Sequence, residues 1–162
     1  MISENLKNIK EKIKRSVNDP DDISLVAVTK THPVETIKEA IKAGVTDIGE
    51  NKIQEAKQKL LNVKGVTKHM IGHLQSNKAK DAVELFDMIH SVDRVKIARK
   101  IDRYSKEMSK VMPVLIEVNI MEDEKKNGVL PDEFDKLYNE IKDYDNIDVQ
   151  GIMVIAPIEP ES

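Results

Sequence analysis

Six times between residues 23 and 155, a short run of β-branched and aliphatic residues gives way to a longer segment whose apolar residues recur every three or four positions. Such alternation commits a chain to parallel strands joined by helices, because a parallel neighbour is reached only through a crossover of about a dozen residues or more. A leading helix over about 2–17 carries Ile2, Leu6, Ile9, Ile13 and Val17 on one face, and Asn18-Asp19-Pro20-Asp21-Asp22 ends it. The first strand then runs from Ile23 to Thr29 and delivers Lys30 at its carboxyl end. Pro33 near its start, Ile37, Ala40 and Ile41 on one face and Gly44 past its end mark the next helix. Further strands are expected at about 45–48, 66–71, 88–90, 114–119 and 149–155. The helices between them start near Asn51 or span about 77–85, 94–108 and 132–144.

Parallel strands with right-handed crossovers leave two candidate architectures, a doubly wound open sheet and a (β/α)8 barrel. A dinucleotide-binding open sheet needs a glycine-rich turn after its first strand, and Lys30-Thr31-His32-Pro33 contains no glycine. The α/β class with a TIM-barrel, (β/α)8 arrangement is therefore expected, with this chain supplying about six of the eight βα units. At the observed spacing, two more units would take on the order of 50 residues beyond Ser162. The expectation is one barrel domain over 1–162, incomplete at its carboxyl end.

Composition narrows the function classes. With no cysteine, thiolate metal sites and disulfides are excluded, and the Met1-Ile2-Ser3-Glu4-Asn5-Leu6-Lys7 start has no apolar signal core, so a cytoplasmic protein is expected. No apolar stretch approaches the roughly 18 residues that span a bilayer. A net charge of −3 with interspersed signs offers no basic field for nucleic acid, and 3% aromatic content offers few stacking platforms for bases.

Chemistry in a parallel α/β fold gathers at the carboxyl ends of the strands. Lys30 stands at such an end, where shielding from water makes a neutral, nucleophilic amine more available for a Schiff base. The alternative is a solvated ammonium on an extended stem. Gly49-Glu50-Asn51 follows the second strand, where Asn51 can instead cap the next helix with Gln54 bonding back. His69 and His73 lack the helical spacing and the partners of a zinc site, so no metal is expected. Ser91-Val92-Asp93-Arg94 reads as a helix cap, and Lys125-Lys126-Asn127-Gly128 as a solvated turn.

Taken in order, Val28-Thr29-Lys30, Gly49-Glu50-Asn51, Ile71-Gly72-His73-Leu74-Gln75-Ser76-Asn77-Lys78, Ser91-Val92-Asp93-Arg94, Val118-Asn119-Ile120 with Lys126-Asn127-Gly128, and Gly151-Ile152-Met153 resemble the pyridoxal 5'-phosphate homeostasis proteins. These look like the barrel domain of bacterial alanine racemase standing alone. The resemblance implies that Lys30 carries pyridoxal 5'-phosphate (PLP) as a Schiff base. It implies that Asn51, His69 and Met153 surround or support the cofactor pocket, and that Lys126, from the fifth-strand loop, approaches it. Family members continue with a Ser-Met-Gly-Met-Ser-like and an Arg-Ile-Gly-like motif that cradle the phosphate, so weakened cofactor retention is expected of residues 1–162 alone.

The resemblance implies a non-enzymatic carrier that influences PLP supply, with PLP-dependent apoenzymes as partners and no catalytic residue of its own. One alternative is a PLP-dependent amino-acid racemase, which needs a second base opposite Lys30, while Tyr104, Tyr138 and Tyr144 all fall in outer helices. Another is an aldolase-like or cofactor-free barrel, which leaves the Gly72 to Lys78 block unexplained.

Overall fold

The computed structural model describes residues 1–121 and 126–157. After α1 (Ile2–Ser16), the chain alternates through β1 (Val26–Val28), α2 (Val34–Lys42), β2 (Asp47–Glu50), α3 (Ile53–Leu60), β3 (Thr67–Met70), α4 (Ala79–Leu85), β4 (Met88–Val92), α5 (Val95–Glu107), β5 (Met112–Glu117), α6 (Phe134–Ile141) and β6 (Ile147–Met153). The six strands form one sheet in sequence order, β1-β2-β3-β4-β5-β6, and every neighbouring pair is parallel. An open dinucleotide-binding sheet reverses its order partway across, and this one does not. The order is that of six successive strands of a (β/α)8 barrel.

Burial follows strand alternation. Met70, Ile89 and Val114 pair across β3, β4 and β5 and are almost wholly buried, as is Ile48 on β2. They share the core with Ile37 of α2, Leu60 of α3, Val83 of α4, Ile101 of α5 and Ile141 of α6, so this face of the sheet is the one the helices cover. The alternate row, Val28, Gly49, His69 and Met88, lies on the opposite face and mixes apolar, glycine and polar residues.

Several boundaries differ from expectation. β1 starts at Val26 rather than Ile23, because Ile23 closes a 3₁₀ turn over Pro20–Asp22 and is 42% exposed. β5 starts at Met112 and so includes Pro113. Met112 N–H donates to the Asn146 carbonyl on the β6 side, whereas the β4 ladder begins only at Ile89–Val114, so the proline nitrogen removes no paired donor. Strand six is shifted towards Ile147, and the helix expected from Asp132 opens as a 3₁₀ turn over Pro131–Glu133. Lys125 and Pro160-Glu161-Ser162 lie outside the described residues.

Gly72 is required by contact. A Cβ there would stand 2.2 Å from the Asn51 carbonyl oxygen and 2.6 Å from its Cα, so the loops after β2 and β3 touch backbone to backbone. Gly72→Ala is therefore expected to lower the unfolding free energy by roughly 2–3 kcal/mol in urea denaturation. A loss below about 0.5 kcal/mol would mean that the two loops separate freely.

Candidate functional site

Parallel pairing puts all six carboxyl ends on one rim of the sheet. Lys30 occupies that rim two residues past Val28, in a turn where the His32 N–H donates to the Thr29 carbonyl at 3.1 Å. The expected shielding of this amine is not found: Lys30 is exposed. The cause is the position of β1, which is an edge strand of the described sheet and leaves Val28 48% exposed. Among the described residues the Lys30 amine has no hydrogen-bond or ion-pair partner.

Asn51 lies on the adjacent strand end, half-buried. It does not cap α3; Lys52 stands at the cap position and makes no side-chain cap bond. The Asn51 backbone is instead held against Gly72. A cavity of about 270 Å³ opens beside it, lined by Asn51, Gln54, Met70, His73, Gln75 and Lys78.

His69 is buried on the face away from the helices. Its Nε2 lies 2.9 Å from Asp47 Oδ1 and its Nδ1 lies 2.9 Å from His90 Nε2. Burial pushes the Asp47 carboxyl up, but hydrogen bonds from Thr46 and His69 outweigh it and hold its pKa below the usual value. Burial, reinforced by the adjacent His69, pushes His90 down to about 4. A carboxylate only accepts, so His69 Nε2 carries the hydrogen; in the neutral ring Nδ1 then accepts from His90 Nε2–H. With both nitrogens engaged, His69 offers a bound molecule its ring rather than a free polar atom. His73 points to another partner, Asp93, at 3.6 Å.

On the far side of the sheet, Met153 ends β6, pairs with Glu117 of β5 and is half-buried. Gly128, at φ +108°, folds the following loop back onto β5: a Cβ there would stand 2.7 Å from Asn119 N. Asn119 N–H donates to the Val129 carbonyl, and Val129 N–H to the Glu117 carbonyl. This places Lys126 near the rim, exposed, with its Nζ 3.1 Å from Met121 Sδ. Ser91-Val92-Asp93-Arg94 is not a side-chain cap, because Asp93 pairs with Arg94 and Arg94 donates to the Leu74 carbonyl. The rim thus brings Lys30 and Asn51 together on adjacent strands, and leaves Met153 and Lys126 at the β5–β6 side.

Asp47, His90 and Glu117 were not among the expected site residues. A polar residue inside each of three consecutive strands was the signal for the first two. Glu117 is buried, its Oε2 has no hydrogen-bond partner among the described residues, and burial, then repulsion from Asp93, pushes its pKa up to about 7. A carboxyl whose folded pKa is raised keeps its proton longer folded than unfolded, so stability falls as pH rises from about 4.5 to about 7. Urea titrations at pH 5 and pH 8 are expected to show wild type losing on the order of 2–3 kcal/mol relative to Glu117→Gln. Parallel behaviour of the two proteins would show that Glu117 ionises normally.

Residues 1–161 match the model of the alanine racemase N-terminal domain family. The pyridoxal phosphate homeostasis protein of Escherichia coli (strain K12) is 36% identical over 169 residues, a match covering 99% of this chain and 72% of that protein. The protein of the same name from Synechocystis sp. is 39% identical over 142 residues, covering 86% of this chain and 65% of that one. The solved structure of PipY from Synechococcus elongatus PCC7942, with PLP bound, superposes with a TM-score of 0.87 at 34% identity, covering 99% of this chain and 73% of that one. Alanine racemase of Clostridium difficile 630, at 19% identity and a TM-score of 0.74, shares the fold over 95% of this chain and 41% of its own. The chain belongs to the alanine racemase N-terminal domain family, within its pyridoxal phosphate homeostasis group.

Proposed function

We propose that this protein binds pyridoxal 5'-phosphate reversibly as a Schiff base on Lys30 and serves PLP homeostasis as a carrier, without turnover of its own. The observation that carries the reading is the Lys30 amine just past the carboxyl end of β1, without a partner among the described residues, on the rim where folds of this class hold ligands. The Lys30 amine adds to an aldehyde carbon, the C=N bond forms as water leaves, and hydrolysis reverses the step. When bound, PLP supplies that aldehyde and a conjugated ring whose absorbance reports the linkage. Asn51 stands beside Lys30 on the next strand end, and the His69 ring lies in the row below. Met153 and Lys126 would meet the group from the β5–β6 side. The relatives named for PLP homeostasis, and the PLP-bound PipY, support the same assignment.

A carrier without turnover is supported by the placement of the tyrosines. Racemisation needs a second base facing the first across the substrate. Tyr104 and Tyr138 sit on α5 and α6, Tyr144 just beyond α6, and Tyr104 and Tyr144 pack on the core. We also read the described residues as one PLP-binding domain, acting in the cytoplasm with PLP-dependent apoenzymes as recipients. No helix among the described residues is long and apolar enough to cross a membrane.

Titration with PLP is expected to give a saturable absorbance band distinct from that of free cofactor, and Lys30→Ala is expected to abolish it. No band in wild type, or an unchanged band in Lys30→Ala, would contradict the reading. Release of solvent deuterium into alanine would make the protein an enzyme instead.

A further inference from the structure

The turn that carries Lys30 is tied down on both sides by a charged cluster from β2 and α3. Glu50, the last residue of β2, is fully buried, and its Oε1 lies 2.6 Å from Lys59 Nζ and accepts from Thr29 Oγ1 at 2.6 Å. Lys59, whose side chain is 11% exposed, also donates to the Thr29 carbonyl at 2.8 Å and to Glu55 Oε1 at 2.8 Å. Glu55 Oε1 in turn accepts from the Thr31 backbone N–H. Thr31 sits at φ +65°, in the left-handed region that a β-branched residue adopts only when its surroundings impose it. Thr29 is thus held by its hydroxyl and carbonyl and Thr31 by its amide, while the residue between them is left free.

Stability does not account for this arrangement. Burying a carboxylate and an ammonium returns little net free energy compared with apolar residues of similar volume, and the strained threonine adds a further cost. Every side-chain bond that Glu50, Glu55 and Lys59 make outside their own cluster ends on a peptide neighbour of Lys30. We propose that Lys59, with Glu50 and Glu55, is a positioning device that fixes the direction in which the Lys30 amine leaves the strand end; this rests on the assignment of Lys30 as the aldehyde-binding residue.

The same cluster separates the roles of the two lysines. Burial would push the Lys59 amine down, but its hydrogen bonds to Glu50 and Glu55 outweigh this and hold its pKa above that of an ordinary lysine. Lys59 therefore stays an ammonium with its protons committed to acceptors, and it does not compete with Lys30 for an aldehyde.

The test compares wild type, Lys59→Met, Lys59→Arg and Glu55→Ala by two readouts: amide hydrogen exchange at Thr31, which needs no cofactor, and the stopped-flow rate at which the C=N absorbance appears with PLP. Lys59→Met is expected to speed Thr31 exchange at least tenfold and slow the absorbance at least tenfold. Lys59→Arg, which keeps a charged donor, is expected to recover most of both. Should Lys59→Met fail to fold, Glu55→Ala, at a half-exposed site that leaves the Glu50–Lys59 pair in place, is expected to change both in the same direction. Folded variants within twofold of wild type on both readouts, or an arginine variant no better than methionine, would overturn the positioning role while leaving Lys30 as the carrier. A wild type with no C=N absorbance would overturn both assignments.

Discussion

The parallel register of six consecutive strands is the constraint from which the rest of the molecule follows. Because each strand pairs with the next in the same direction, every βα loop leaves from one rim and every αβ loop from the other. Lys30, Asn51, Gly72, Asp93 and Asn119 are far apart in sequence and share a rim only through that pairing. The register also sorts the strand side chains. One alternate set, with Ile48, Met70, Ile89 and Val114, packs under the helices, and the other, with Asp47, His69 and His90, faces away from them. The apolar layer supplies the drive to fold, which lets the opposite face carry groups that cost free energy to bury.

Those costs are concentrated. They sit in the Asp47–His69–His90 chain across β2, β3 and β4, at Glu117 beside Asp93, and in the pair that joins Glu50 of β2 to Lys59 of α3. Buried ionisable groups with displaced pKa values gather where a protein handles a ligand, because packing alone has no use for them. Their hydrogen bonds are directional: His69 donates to Asp47, and Lys59 to Thr29 and the two glutamates.

Much of this was legible in the sequence. The alternation between short β-branched and aliphatic runs and segments with apolar residues every three or four positions located the six strands and six α-helices of the described residues. Boundaries drifted by two or three residues at Ile23, Met112 and Ile147, where the hydrogen-bond ladder rather than hydrophobicity decides where a strand ends. Lys30 at a strand terminus was visible, but its exposure was not, because a run of Val and Ala reads the same at the edge of a sheet as at its centre. Asn51 followed by Gln54 fits a helix cap, and only the backbone approach of Gly72 shows what the asparagine backbone does instead. The pairing of Asp47, His69 and His90 spans 43 positions and is set by register, so no local pattern reveals it.

The central claim is that one amine, Lys30, forms the bond to an aldehyde cofactor. Reducing the protein with borohydride in the presence of PLP, then mapping the labelled peptides by mass, tests it most directly. The account predicts a single pyridoxyl group on Lys30, with Lys59 and Lys126 unmodified at stoichiometric cofactor. A label on any other side chain in preference to Lys30, or no label at all, would contradict it.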